Sequence, residues 1–235
     1  MNSEQTGDLV ARAAIHAALA DVTRLRIVDY LSFTDASASE VGAALGIPSN
    51  LLAHHVGVLD NVGLVTRRPS EGDGRRNYLT LCRPEQEAGL GGGPSPRPSP
   101  QRVVFVCTAN TARSHLAAAL WRRASPIAAS SAGTHPGKRI NPGAVRAAQR
   151  HGLDMPQIGP TLLDGTVDDA DFVVTVCDRA HEELASRPHA HWSIADPVPD
   201  GSSVAFDTAY SNLADRVRHL APRLVPAATS RAAGE

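Results

Sequence analysis

The chain has 235 residues, of which 42% are hydrophobic and 20% are charged, the usual balance of a globular protein with one large or two small domains. Its formal net charge of -1 excludes a polycation, so any binding of nucleic acid must come from a local basic surface.

Three cysteines, Cys82, Cys107 and Cys177, are too few and too scattered for a disulfide framework. Such a set indicates a reducing compartment, where lone cysteines are buried or reactive. The chain shows neither the pattern of a secretion signal nor an apolar run of membrane-spanning length, and we therefore expect a cytoplasmic protein without membrane contact.

The first third of the chain has helical periodicity. Four apolar residues define the predicted face of a first helix: Leu9, Ala13, Ala17 and Ala20. Further helices are predicted over 23–31 and 39–45, the second of them stopped by Gly46.

A fourth helix is predicted from a cap at Ser49 to a stop at Gly63. Its apolar residues follow helical spacing: Leu51, Leu52, Val56 and Leu59. Residues 64–68 and 77–81 flank a Gly-rich turn and predict a β-hairpin.

Residues 87–101 (EAGLGGGPSPRPSPQ) are dense in Gly, Pro and Ser, which predicts a linker between domains at 1–86 and 102–225. A tail at 226–235 is predicted to be disordered. After the linker, strands at 102–106, 128–131, 171–176 and 191–194 alternate with helices at 114–123, 142–151, 179–185 and 204–220. This alternation predicts an α/β domain with a doubly wound, parallel, four-stranded sheet.

Two helices joined by a tight turn and followed by a hairpin predict a mainly α, winged helix-turn-helix domain whose second helix enters the DNA major groove. The polar and small residues at the start of that helix, together with the arginines of the hairpin, are the expected DNA contacts: Ser49, Asn50, Ala53, His54, His55, Arg67, Arg68, Arg75 and Arg76. The alternative is a solvated basic turn without a partner, but its position beside a helix-turn-helix favours DNA.

Residues 9–83 resemble the ArsR-type family of winged-helix repressors. The resemblance depends on ALADVTRLRIVDYL, SASEVGAALGIPSNLLAHHVGVLDNVGLV and RRPSEGDGRRNYLTL. It implies a homodimer on a palindromic operator in double-stranded DNA.

The cysteine pair by which many members of that family bind metalloids is missing from SASEVGAALGI, so the soft ligands that arsenite needs are absent there. We expect Cys82 to be structural. Neighbouring His54 and His55 diverge by about 100° on a helix, so no joint metal site is expected.

The most specific motif of the chain is FVCTANTARS, a Cys-x5-Arg-Ser loop between a hydrophobic strand and a helix. Such a loop can wrap a tetrahedral oxyanion with the backbone amides of residues 108–113, that is Thr108, Ala109, Asn110, Thr111, Ala112 and Arg113. The same field favours the thiolate of Cys107, which makes it a nucleophile.

Two side chains of the loop have further expected roles. The Arg113 fork can grip two oxyanion oxygens, and the Ser114 hydroxyl can donate to the Cys107 sulfur. The alternative is a buried cysteine that happens to lie near an arginine, and the flanking strand and helix argue against it.

Parallel sheets gather the loops after their strands at one edge, which brings Cys107, Cys177 and Asp196 together. Asp196, next to Pro197, is the candidate general acid, although Asp-Pro is also common in plain turns. Cys177 is the candidate second thiol or a buried strand-end residue.

Residues 102–224 resemble the low-molecular-weight protein tyrosine phosphatase fold, including the thiol-linked arsenate reductases built on it. Beside the loop, the resemblance includes SSAGTHPGKRINPGAVRAAQRHGLDM, TVCDRA, Asp196-Pro197 and FDTAYSNLADRVRHL. The usual glycine at the third loop position is Ala109 here, which requires a backbone angle that alanine can adopt.

The predicted mouth lacks the aromatic walls that hold a phenyl ring, since Pro197 is followed by Val198 and segment 135–142 has no aromatic residue. This favours arsenate over phosphotyrosine. The resemblance places Cys177 at the first resolving cysteine of thioredoxin-coupled relatives, whereas Leu184 replaces their next one.

We expect no bound cofactor or metal, and an external reductant that is thioredoxin, mycoredoxin or a low-molecular-weight thiol. His181, His189 and His191 are expected at the surface or in loops. Three functions remain open: a fused repressor and arsenate reductase, a tyrosine phosphatase with a DNA-binding domain, and a transcription factor that only senses oxyanions.

Overall fold

The computed structural model describes residues 3–82, 98–155, 158–165, 167–184 and 188–226. The chain divides into two compact units, Met1–Ser95 and Pro96–Glu235, which are treated separately below. Most of the predicted linker and nearly all of the predicted tail lie outside the described residues, so both stay predictions.

The described part of the N-terminal unit, residues 3–82, combines four helices with a small antiparallel sheet. Its elements are α1 (Ser3–Leu19), α2 (Val22–Leu31), β1 (Ala36–Ser37), α3 (Ala38–Leu45), α4 (Ser49–Asn61), β2 (Val65–Pro69) and β3 (Asn77–Leu81). The strands lie in the order β1-β3-β2, and β2 and β3 form the predicted hairpin, with Val65 opposite Leu81.

Local chemistry explains where these helices begin and end. Asp21 caps α2 by accepting the Arg24 amide at 2.9 Å, and Ser37 forms a capping box with Glu40 at the start of α3. Gly46 ends α3 at φ +66°, as predicted. The prediction of Ser49 as the cap of α4 was wrong, because Pro48 holds that position without a side-chain hydrogen bond.

The apolar face predicted for α1 lies outside the core of the unit. Leu9, Ala13, Ala17 and Ala20 are exposed, whereas Ala18 and Leu19 are buried. Only the end of α1 reaches the core, so a periodicity drawn over the whole helix identified the outer face. In α4, Leu51 is likewise 44% exposed, while the other three predicted core residues are buried: Leu52, Val56 and Leu59.

The C-terminal unit is a parallel α/β structure, which confirms the predicted class. Its elements are β4 (Arg102–Cys107), α5 (Arg113–Ala124), β5 (Ala128–Gly133), α6 (Pro142–Arg150), β6 (Asp171–Thr175), α7 (Asp178–Glu183), β7 (Ala190–His191) and α8 (Ser203–Leu220). The strand order is β5-β4-β6-β7, and every pairing is parallel.

Strand β4 is buried along almost its whole length, because sheet neighbours lie on both edges. Phe105 packs between the two tryptophans, with ring centroids 6.0 Å from Trp121 and 5.7 Å from Trp192. The predicted strand at 191–194 is shorter: β7 has two residues, and the chain then turns through a bond from the Ile194 amide to the Trp192 carbonyl.

The parallel order places the carboxyl ends of β4, β6 and β7 at one edge of the sheet. A residue with a reactive or ionisable side chain lies at or after the end of each of these strands: Cys107, Cys177 and Asp196. Within the described ranges, no helix combines the length and apolar character that crossing a membrane requires.

Candidate active site

The loop from Cys107 to Arg113 is held from outside through its carbonyl groups. The carbonyls of Cys107, Thr108, Ala109 and Thr111 accept, in that order, the amides of Thr134, His135, Gly137 and Asn141, at 2.8–3.2 Å. In a planar trans peptide the N–H points opposite to the C=O, so these contacts turn the following amides away from segment 133–141. The Asn110 amide then donates to the Cys107 sulfur, and the Thr108 amide donates to the Cys177 sulfur. A concave ring of N–H groups of this kind binds anions.

Two glycines allow this close contact, and the sequence reading missed both. A Cβ on Gly133 would lie 2.7 Å from the Thr108 carbonyl oxygen, and one on Gly137 would lie 2.7 Å from the Thr111 methyl group. Gly133 is required for this contact because its neighbour is backbone, whereas a Cβ on Gly137 would force the Thr111 side chain to move. The signal in the sequence was the repeated glycine of SAGTHPG.

The Cys107 sulfur receives two polar contacts. The Asn110 amide donates to it at 3.2 Å, and the Ser114 hydroxyl lies 3.1 Å away. Because the Asn110 side-chain amide donates to the same Ser114 oxygen at 2.7 Å, the single Ser114 hydrogen is left to point at the sulfur. Both hydrogen-bond donors are therefore directed at the sulfur.

Asn110 also resolves the question raised by Ala109. Among the described non-glycine residues, Asn110 alone has a positive φ, at 49°, so alanine at the third loop position is not strained. The Asn110 carboxamide oxygen accepts the Thr161 amide at 2.8 Å, which fixes the side chain from its other end.

Arg113 and Asp196 meet beside the loop, as the topology predicted. The Arg113 side chain is 9% exposed, and its Nη2 lies 3.0 Å from Asp196 Oδ2, while Nη1 donates to the Ile194 carbonyl at 2.8 Å. The Asp196 side chain is about one-third exposed. The structure thus brings a thiol, a guanidinium and a carboxylate to one concave edge.

Cys177 lies at the same edge and contacts the start of the loop. Its sulfur accepts the Thr108 amide at 3.2 Å and lies 3.4 Å from the Thr108 hydroxyl. Burial raises the pKa of the Cys177 thiol above its ordinary value, although Arg113 and Thr108 act in the opposite direction. Cys177 is therefore a protonated thiol at neutral pH.

The residues expected to contact DNA in the N-terminal unit differ in their solvent exposure. Most are exposed, and two arginines are partly buried: Ser49, Asn50, Ala53, His54, Arg67 and Arg75 are exposed, and Arg68 and Arg76 are intermediate. His55 is the exception, since it is 7% exposed with Nδ1 3.7 Å from Asp21 Oδ1. Its placement on the DNA-facing surface was wrong, because position 55 lies on the core side of α4.

The expectation for His191 was also wrong. It is 1% exposed, although it is the last residue of the edge strand β7, and it contacts Asp178. His181 is partly buried and His189 is exposed. Among the described residues, no group of three or more His, Cys, Asp or Glu side chains could hold a metal ion.

Comparison with known proteins agrees with this geometry. Residues 102–229 match the family described as low molecular weight phosphotyrosine protein phosphatase, and the chain belongs to that family. Its C-terminal unit is an enzyme domain of the thiol-dependent class that this fold and site define.

Curated relatives include an arsenate reductase of Brevibacillus brevis, 31% identical over 103 residues, covering 41% of this chain and 76% of the relative. A glutaredoxin arsenate reductase of Synechocystis is 27% identical over 132 residues, covering 53% and 98%. Among solved structures, the arsenate reductase of Archaeoglobus fulgidus is 27% identical with a TM-score of 0.46, covering 51% of this chain and 98% of its own.

Proposed function

We propose that the C-terminal unit reduces arsenate to arsenite through Cys107. The observation that carries this proposal is the environment of the Cys107 sulfur. It accepts a hydrogen bond from the Asn110 amide and lies next to the Ser114 hydroxyl, inside a loop that is held from outside through its carbonyl groups. The curated relatives named arsenate reductase support the choice of substrate.

In the first step, the Cys107 thiolate attacks the arsenic atom and an arsenate oxygen leaves as water. The inward amides and the Arg113 fork bind the remaining oxygens, and Asp196 supplies the proton that the departing hydroxide needs. The 3.0 Å contact between Arg113 and Asp196 supports this role for Asp196, because Arg113 is the proposed ligand of the oxyanion.

In the second step, a thiol attacks the Cys107 sulfur. A sulfur–sulfur bond forms, the sulfur–arsenic bond breaks, and its electron pair reduces As(V) to As(III), while the proton of the attacking thiol passes to an oxygen of the departing arsenite. Cys177 is the attacking thiol in this proposal, because its sulfur accepts the amide of Thr108, the residue that follows Cys107. An external thiol, either thioredoxin, mycoredoxin or a low-molecular-weight thiol, then reduces the disulfide.

The N-terminal unit is, in our proposal, a winged helix-turn-helix that binds an operator as a homodimer, which makes the protein a fused regulator and reductase. Support comes from the exposed start of α4 and from the arginines on the β2–β3 hairpin. Helix α4 would read base edges, and the hairpin would neutralise phosphates.

One comparison on the purified full chain tests these proposals. Arsenate-dependent oxidation of thiols that disappears in Cys107→Ser supports the reductase. Hydrolysis of aryl phosphates without arsenate turnover would instead support a phosphatase. Neither activity, together with oxyanion-dependent release from the operator, would support a sensor.

A further inference from the structure

A buried polar cluster surrounds the turn that carries Cys177, and the chemistry described so far does not use it. Thr175 ends β6 and Asp178 begins α7, so the two residues flank Val176 and Cys177. The His191 ring from β7 reaches both: Nδ1 lies 3.0 Å from Thr175 Oγ1, and Nε2 lies 3.2 Å from Asp178 Oδ1. The side chains of His191 and Asp178 are 1% and 3% exposed.

The donor and the acceptor of each hydrogen bond in this cluster can be assigned in turn. An ionised carboxylate only accepts, so His191 Nε2–H donates to Asp178. In a neutral ring Nδ1 then accepts, and the Thr175 hydroxyl donates to it at 3.0 Å rather than to the Ala190 carbonyl, which is farther away at 3.5 Å. The Thr175 oxygen is left to accept from His181 Nδ1, which lies 3.3 Å away.

The cluster therefore ties the residue two places before Cys177 to the residue just after it. The backbone adds to this restraint, because the Trp192 amide donates to the Thr175 carbonyl at 2.8 Å and the His181 amide donates to the Cys177 carbonyl at 3.2 Å. His181 and His191 also stack, with ring centroids 4.1 Å apart. The Cys177 backbone is thus held from both sides of the turn.

We propose that His191, with Thr175 and Asp178, positions Cys177 for its attack on Cys107, and this inference rests on the proposed function. The attack needs the Cys177 sulfur in line with the sulfur–arsenic bond, and misplacement of a reacting atom by about 1 Å can cost about a hundredfold in rate. No proton or electron passes through His191 in this proposal. The ring sets where the thiol lies, not whether Cys107 is reactive.

The choice of side chains supports positioning over mere packing. Burying a carboxylate and an imidazole costs free energy that an apolar pair of the same volume would not. A hydrogen-bonded polar cluster instead favours one geometry, because each hydrogen bond has a preferred direction. In this protein the cluster restrains the turn that carries Cys177, the second thiol.

The test compares Thr175→Val, which keeps the shape and removes the hydroxyl, with Thr175→Ser, which keeps the hydroxyl. In a single turnover with arsenate, acid-quenched samples are analysed by peptide mass for the Cys107–Cys177 disulfide. We expect Thr175→Val to form it about tenfold more slowly or worse, and Thr175→Ser to stay within about twofold of the parent chain. Alkylation of Cys107 by iodoacetamide, and its protection by phosphate, are expected to be unchanged in both.

A second variant, His181→Phe, keeps the stacked ring and removes the outer donor, so it perturbs folding less, and we expect a slowing by several-fold. Equal rates of disulfide formation in Thr175→Val, His181→Phe and the parent chain would overturn the positioning role. Equal losses of Cys107 alkylation and of disulfide formation would also overturn it, because they would show a general structural effect. If the parent chain itself forms no disulfide with arsenate, the proposed function fails, and that result is separate from any difference between variants.

Discussion

At the scale of single residues, Asp196 has two partners in the proposed cycle. In the structure it pairs with Arg113, and in the reaction it gives a proton to the departing oxygen. Asp196→Asn keeps the shape and a hydrogen-bonding group but removes the acid. We expect arsenate reduction by single turnover to fall by about 10²–10⁴-fold, the range of general acid catalysis.

Thiol alkylation supplies the control for Asp196→Asn. Cys107 should react with iodoacetamide at the parent rate, because its contacts to Asn110 and Ser114 do not involve Asp196. A variant with unchanged arsenate reduction would show that another group supplies the proton.

Gly133 predicts a second residue-scale effect. Gly133→Ala would place a methyl group 2.7 Å from the Thr108 carbonyl and 2.9 Å from the Asn110 Cβ, so the loop must shift. We expect phosphate protection of Cys107 to weaken by at least about tenfold, since the amide ring loses its shape. Gly152→Ala, where φ is +58° and nothing lies near, is the control: it strains the backbone far from the loop and should leave phosphate protection unchanged.

Asp171 predicts a pH dependence of stability. Burial raises its pKa, but Arg102 and the Asp168 amide lower it more, so the net pKa lies below the ordinary 3.8. A lowered pKa gives stability that is complete above the unfolded value and is lost as pH falls through the folded value. Arg102→Gln should therefore lose about 1–3 kcal/mol of unfolding free energy at pH 7, and the difference from the parent should shrink below about pH 4.

Tryptophan fluorescence during urea unfolding measures this difference, because both tryptophans, Trp121 and Trp192, lie in the C-terminal unit. A gap between parent and Arg102→Gln that is constant from pH 7 to pH 3 would contradict the linkage. Arg218→Gln is the matched control, since its pair with Asp215 is exposed and contributes little.

At the scale of elements, the start of α3 depends on one capping box. Ser37 and Glu40 bond each other's backbone amides. Ser37→Ala should lower the unfolding free energy of the N-terminal unit by about 1 kcal/mol. Circular dichroism at 222 nm should show the earlier melting, while tryptophan fluorescence keeps its midpoint; a shift in the fluorescence midpoint would contradict the assignment of this effect to the N-terminal unit.

The same scale shows what the sequence could predict. The parallel sheet and the loop after β4 were predictable, because β4 is apolar throughout and the Cys-x5-Arg-Ser spacing leaves little freedom. The inner face of α1 and the burial of His55 and His191 were not, because they depend on which tertiary neighbours meet each helix or strand. The support of the loop by Gly133 and Gly137 is also a tertiary contact between segments far apart in sequence.

At the scale of the whole molecule, the two units carry separate proposed functions on a chain of nearly zero net charge. DNA affinity then depends on the arginines of the hairpin and falls with added salt. Arg75→Ser should weaken binding to operator and random DNA by a similar factor and lower the salt slope by about one. Arsenate reduction by this variant should stay at the parent rate.

Cys107→Ser is the reciprocal variant, expected to retain DNA binding and to lose reduction. Fluorescence anisotropy with labelled duplexes measures the first property and thiol counting the second. Loss of DNA affinity in Cys107→Ser without any oxyanion present would contradict the independence of the two proposed functions.

The pairing of Arg113 with Asp196 means that any anion that binds Arg113 must compete with a carboxylate of the protein itself. An incoming anion must compete with the Asp196 carboxylate for the Arg113 guanidinium, so singly charged anions such as chloride or nitrate are expected to bind weakly. In the proposed reaction, a doubly charged tetrahedral anion displaces Asp196 from Arg113, and the displaced carboxylate, once protonated, can turn toward the oxygen that leaves. In this proposal, the site therefore selects the anion by its charge and releases Asp196 as the proton donor in the same step.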